Sequence, residues 1–274
     1  MFAANSLLFV PGSRPDRFVR ARAGGAGVTI IDLEDAVAAG DKATARAAAM
    51  EAICVAPAGW ALRINALTTA AGIADLAALS EAEILPHILL LPMVESPTEC
   101  EIVARVLRER CPDLVPLIET PRALRHALAI AQAPRVAAVM FGGGDFAGEL
   151  GVTLAWEPML AARQAVVLAC AEARVPAIDV PYLSLDDPTG LAEECARARA
   201  LGFGAKAAIH PAQVVAIEQA FAPSAAEVAE AEEAIAAYLA GGERAIRYKG
   251  KMLEAPVVKR FRAVLSRKGM ISNA

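Results

Sequence analysis

Short apolar runs, rich in Leu, Ile and Val, recur along the first three quarters of the chain. They are SLLFVPG (6–12), VTIIDLED (28–35), WALRIN (60–65), HILLLPMV (87–94), LVPLIET (114–120), VAAVMFGG (136–143), VPAIDVPYL (175–183) and AKAAIHP (205–211). Each is continuous rather than alternating, the pattern of a strand buried on both faces. Between them lie Ala-rich segments with apolar residues at helical spacing, such as GDKATARAAAMEAICVA and SPTECEIVARVLRER, with Asp41 and Ser96 placed as N-caps. Eight such βα units predict an α/β fold, a (β/α)8 TIM barrel, in preference to an open doubly wound sheet.

The pattern changes after the eighth run. SAAEVAEAEEAIAAYLAGG (224–242) predicts a helix ending at Gly241–Gly242, and a polar, basic stretch follows with a last helix. We expect a catalytic barrel over residues 1–222 and a C-terminal helical arm or lid over 223–274.

Composition narrows the class. No apolar run reaches the 18 residues of a membrane span, and MFAANSLLFVPGSRPDR has no signal-peptide layout. Lys and Arg total 27 against 31 acids, a net charge of −4 that makes no electrostatic case for nucleic acid. The five cysteines are scattered without a CxxC pair, which argues for reduced thiols rather than a zinc site or a disulfide scaffold. The expectation is a cytoplasmic enzyme with neither a nucleic-acid nor a membrane partner.

In such a barrel the chemistry gathers where the strands end. Those ends carry PGSRPDR, then Asp32, Glu34 and Asp35, then Arg63 and Asn65, Glu95 and Ser96, Glu119 and Thr120, GGGDF with Asp145, Asp179, and finally Lys206 and His210. The strand starts, such as Val28, Trp60 and Val136, are apolar. Carboxylates from separate strands, without a histidine or cysteine cluster, suit a hard cation such as Mg²⁺, which keeps waters and takes one or two protein carboxylates.

Glu119 and Asp145, from adjacent strands, are the candidate ligands. Alternatively, Glu119 opens a capped helix at ETPRAL and Asp145 is a turn residue. Gly142 to Gly144 would let backbone crowd a bound ligand. Gly142-x-Gly144-x-x-Ala147 formally matches a dinucleotide fingerprint, but it follows the sixth strand, and Asp145 would face the pyrophosphate. Arg63 either contacts an anionic substrate or pairs with Glu34 or Asp35. Arg14, Arg17 and Lys42 are either solvated charge or contacts to a phosphate or carboxylate. His87 and His126 read as structural, and His210 as a helix cap or a pocket residue.

Taken together, SLLFVPGSRPDRF, IIDLEDAVAAGDKATAR, LRIN, LIETPRAL, FGGGDFAGELG and GFGAKAAIHPAQV resemble the HpcH/HpaI aldolase and citrate lyase β-subunit family, in the family's order, from Ser6 to about Leu265. The tail GKMLEAPVVKRF resembles the acyl-CoA lyase branch, which includes citramalyl-CoA and citryl-CoA lyases. The resemblance implies cleavage of a 3-hydroxyacyl-CoA into acetyl-CoA and a 2-oxo acid, pyruvate or oxaloacetate. Mg²⁺, or Mn²⁺ in its place, would be held by Glu119 and Asp145, with Glu34 and Asp35 holding its waters.

It further implies that Arg63 contacts the reacting carbonyl. Arg14, Lys42, Gly143 and Gly144 would contact substrate or coenzyme A. Glu254, where many relatives have the shorter Asp, would be the acid on a lid over a neighbouring subunit's site, in a homotrimer or hexamer. Two alternatives share the residues. One is a citrate lyase β subunit taking an acyl-carrier-protein thioester beside α and carrier subunits, and the other is a metal-dependent aldolase of free hydroxy acids.

Overall fold

The computed structural model describes residue 2 and residues 4–272. Eight parallel strands close into a barrel in chain order. They are β1 (Ser6–Pro11), β2 (Val28–Asp32), β3 (Ala61–Arg63), β4 (Ile88–Leu91), β5 (Asp113–Ile118), β6 (Val139–Phe141), β7 (Ala177–Asp179) and β8 (Ala205–Ala208). All eight fall inside the apolar runs or within one residue of them, and closure by β1 pairing with β8 rules out the open sheet.

Alternation of side chains along each strand sets the interior. Leu7, Ile30, Ala61, Leu90, Leu117, Met140, Ile178 and Ala207 belong to one buried cluster that fills the barrel. The alternate residues Leu8, Ile31, Leu62 and Leu89 are equally buried, in the layer under the helices. Two buried layers are why the runs are continuous rather than alternating.

The helices are α1 (Phe18–Arg22), α2 (Lys42–Val55), α3 (Ala70–Glu81), α4 (Pro97–Leu107), α5 (Pro121–Arg125), α6 (Ala127–Ala131), α7 (Gly143–Leu150), α8 (Trp156–Ala173), α9 (Pro188–Leu201) and α10 (Pro211–Phe221). Ser96 caps α4 by accepting from the Thr98 amide. Asp41 stands at the cap position of α2, but its side chain makes no cap hydrogen bond. The five cysteines are free, and only Cys54 is exposed. Among the described residues no helix is long and apolar enough to cross a membrane.

The chain divides after Ala220. The C-terminal unit contains α11 (Ala225–Ala240), a hairpin of β9 (Ile246–Tyr248) and β10 (Lys251–Leu253), and α12 (Ala255–Ser272). A capping box starts α11, with Ser224 accepting from the Glu227 amide while the Glu227 carboxylate accepts from the Ser224 amide. Ala231, Ala234, Tyr238, Leu253, Val258 and Phe261 form this unit's own core.

Candidate active site

Carrying the inward parity one step past the filled barrel identifies the residues at its mouth. Phe9, Asp32, Arg63, Glu119, Val180 and Ile209 each lie two positions beyond an interior residue, and all line one cavity of about 410 Å³. Asp145 enters from the first turn of α7, where an acid is favoured by the helix dipole. Glu119, Asp145 and Arg63 are thus brought together, with Asp35 on the same wall.

Arg63 anchors the electrostatics. Its Nε and Nη2 donate to the two oxygens of Asp32, each at 2.7 Å, in a bidentate pair. Its Nη1 lies 2.6 Å from Glu34 and 3.4 Å from Asp35, and its plane sits 5.0 Å from the Phe9 ring. Asp32 in turn accepts from the amides of Glu34 and Ala36, so it fixes the β2–α2 loop and the guanidinium at once. Asp32, more than Glu34 or Asp35, therefore orients Arg63. Burial works against the Arg63 charge, but the bond to Asp32 and the three neighbouring carboxylates outweigh it and raise its pKa.

The remaining acids are not neutralised. Burial pushes Glu34 up to about 8, with Glu119, Asp35 and Asp32 adding to the shift and Arg63 opposing it. Burial likewise pushes Glu119 up to about 7, helped by Asp145 and opposed by the Met93 amide, which donates to its Oε2 at 2.6 Å. Asp145 is also raised, first by burial and then by Asp35. Thr120, not Glu119, caps α5, which removes the helix-start reading of Glu119. A Cβ on Gly142 would collide with the Glu119 carboxylate, so this glycine makes room for the acid. Gly143 packs against Leu154, Phe141 and Val180, whereas Gly144 faces open space in the cavity.

Does this donor set fit a divalent cation? The site is oxygen-only, carries more acid than base, and leaves the buried Glu34 Oε2 without a hydrogen-bond partner despite its closeness to Arg63. Among the described residues no three acidic, histidine or cysteine side chains converge as a cage. Two protein carboxylates with waters completing the shell is the arrangement Mg²⁺ takes, and Glu119 and Asp145 fit it.

Other sequence expectations fare differently. Arg14 and Lys42 do not line the cavity: Arg14 is exposed and paired with Asp16, and Lys42 donates to the carbonyls of Leu33 and Glu34 at 2.8 and 2.7 Å. Lys42 thereby holds the β2–α2 loop. Asp179 and Lys206 do not reach the mouth at all. They have the outward parity and form a buried network with Arg163 of α8 and Glu194 of α9. Asn65 is likewise structural, donating to Asp75, and His210 accepts from the Ala212 amide at the start of α10. Glu254 is exposed in the C-terminal unit.

The model of the HpcH/HpaI aldolase/citrate lyase family matches residues 5–211. The chain belongs to that family. It is 31% identical to human mitochondrial citramalyl-CoA lyase, over 93% of this chain and 82% of that protein. Among solved structures it resembles CitE from Mycobacterium tuberculosis in complex with magnesium, acetoacetate and coenzyme A, with a TM-score of 0.85 and 32% identity over 97% and 98% of the two chains. RipC from Yersinia pestis is 43% identical, with a TM-score of 0.74, over 82% of this chain and 97% of that one. Family membership makes the chain an enzyme.

Proposed function

We propose that the chain is a Mg²⁺-dependent carbon–carbon lyase that cleaves a 3-hydroxyacyl-CoA into acetyl-CoA and a 2-oxo acid, with citramalyl-CoA as its preferred substrate and pyruvate as the second product. The observation that carries this reading is the pairing of a bidentately fixed arginine with uncompensated Glu119 and Asp145 in one cavity. The magnesium- and coenzyme A-bound relative and the lyase relative support it.

Glu119 and Asp145 would hold the ion, and Glu34 and Asp35 would accept hydrogen bonds from its waters. The ion, with Mn²⁺ able to replace Mg²⁺, supplies Lewis-acid stabilisation of the oxygen that becomes the product carbonyl. The substrate hydroxyl proton passes to the surrounding carboxylates as the C–C bond breaks. Negative charge then develops on the thioester oxygen, and Arg63, already fixed by Asp32 and Phe9, stabilises it without reorganising. Glu254, from the lid of a neighbouring copy in a homotrimer or hexamer, protonates the enolate carbon.

The preference for citramalyl-CoA rests on the wall. Beyond the acids it is apolar, with Phe9, Leu117, Met140, Leu154, Val180 and Ile209, and among the described residues Arg63 is the one cation lining it. A methyl group suits that wall. The additional carboxylate of citryl-CoA would face acids and hydrocarbon without a cation. Purified protein with Mg²⁺ should therefore release acetyl-CoA from citramalyl-CoA faster than from citryl-CoA or malyl-CoA. Failure to turn over any of the three would overturn the lyase reading. Mixed oligomers of Arg63→Ala and Glu254→Ala chains should regain activity that neither has alone, and no recovery would remove the shared site.

A further inference from the structure

The turn between β4 and α4 carries a strained residue beside the mouth. Met93, two residues past the end of β4, has φ of 53°. There the Cβ of an L residue crowds the following carbonyl, and glycine or asparagine is the usual occupant. Arg108 and Arg174 also have positive φ, but they cap α4 and α8, and their amides return to helix carbonyls. Met93 ends no helix. Its amide leaves the turn and donates to Glu119 Oε2 at 2.6 Å.

Neighbouring groups hold the turn in this shape. Val94, next in the chain, is fully buried. The Glu95 carboxylate accepts from the Thr120 hydroxyl at 3.0 Å and lies 3.6 Å from Arg122. The Glu95 carbonyl accepts from His126 Nδ1 at 2.7 Å. Thr120, Arg122 and His126 all follow Glu119 in the chain, so the turn is fastened to the segment that carries the acid. Strained backbone persists where its surroundings over-determine it in this way. The other carboxylate oxygen of Glu119, Oε1, lies against Gly142, where a Cβ would collide with it. One amide and one glycine thus set the Glu119 rotamer before any ligand arrives.

We propose that Met93 is a positioning residue: its left-handed backbone aims an amide at Glu119 Oε2, fixes that carboxylate, and so sets how tightly it holds the divalent cation. The inference rests on the reading of Glu119 as a metal ligand and deepens it. What the position requires is a backbone conformation and an N–H group, not the thioether. A β-branched residue resists the left-handed region, whereas asparagine enters it readily.

Mn²⁺ binding to the full chain, followed by electron paramagnetic resonance without substrate, tests this independently of turnover. Met93→Val should weaken Mn²⁺ binding by about tenfold or more, the scale of a lost partner to a metal-ligating group. Met93→Asn should bind like wild type. Replacing the amide of residue 93 by an ester, with the methionine side chain kept, removes the N–H group alone. It should weaken binding as Met93→Val does, whether or not that variant folds. Equal affinity in wild type and the ester protein, or equal losses in Met93→Asn and Met93→Val, would overturn the proposal and leave the metal site standing. Wild-type Mn²⁺ binding that Glu119→Gln leaves unchanged would overturn it together with the ligand reading of Glu119. The proposed pattern of affinities, in a chain that cleaves no thioester, would support the positioning role while removing the lyase reading.

Discussion

Two charged clusters in the barrel unit show how differently one fold can use ionisable residues. Behind β7 and β8, Arg163 and Lys206 face Asp179 and Glu194, two cations against two acids, in a layer where Arg163, Asp179 and Lys206 are at most 1% exposed. Trp156 stacks on Arg163 at 4.5 Å. At the mouth, one guanidinium faces Asp32, Glu34, Asp35, Glu119 and Asp145. The first cluster balances its charge and holds helices α8 and α9 to the strands. The second leaves acid uncompensated beside a cavity, an arrangement that costs stability unless a cation or ligand completes it.

The largest effects should separate the two clusters cleanly. Arg63→Lys keeps the charge but loses the bidentate geometry, so thioester cleavage should fall by about 10²–10³-fold, the scale of losing a preorganised charge stabiliser. Its melting temperature should change little. Lys206→Met should do the reverse. It leaves Asp179 and Glu194 with Arg163 as their one remaining cation in a buried layer and should cost about 3–5 kcal/mol in denaturant unfolding. A Lys206→Met protein that is stable but inactive would show that this network serves the chemistry.

The same contrast explains what could be read from the chain alone. The eight strands were legible because burial on two faces writes long apolar runs. Glu119, Asp145 and Arg63 were legible because charge ending an apolar strand is rare. Asp179 and Lys206 were misplaced at the mouth because their positions were read by distance along the strand and not by parity. Ile178 and Ala207 face the barrel interior, so their neighbours Asp179 and Lys206 must face the helices. Parity also singles out Asp32, two residues past the interior Ile30, as an inward acid. Lys42 and Arg14 could not be placed from sequence, because a lysine bonded to loop carbonyls looks like a solvated one. The 246–253 hairpin was read only as a polar stretch, since its strands are three residues long and Leu253 is their one fully buried residue.

A smaller change should come from Asp32→Asn, which keeps the shape of the Arg63 pair but removes its charge. Since Asp32 acts through Arg63, kcat should fall by about 10–100-fold with KM changed far less. An unchanged kcat would mean that Phe9 and Glu34 suffice to orient the guanidinium.

The subtlest difference lies in pH. Folding raises Glu119 to about 7 and Glu34 to about 8, above the carboxylate range of the unfolded chain at about 4.3. The folded state therefore binds more protons between those limits, and stability falls as pH rises through them. Metal-free protein should melt at lower temperature at pH 8 than at pH 5, and added Mg²⁺ should raise the melting temperature more at pH 8. A flat profile would show that the mouth acids are already compensated.

Mg²⁺ titration of citramalyl-CoA cleavage, by wild type and by Glu119→Gln and Asp145→Asn, bears most directly on the central claim that uncompensated acid at the mouth makes the catalytic site. Acetyl-CoA release should require the metal and vanish in both variants while their folds persist. Cleavage without metal, or wild-type cleavage by either variant, would contradict it.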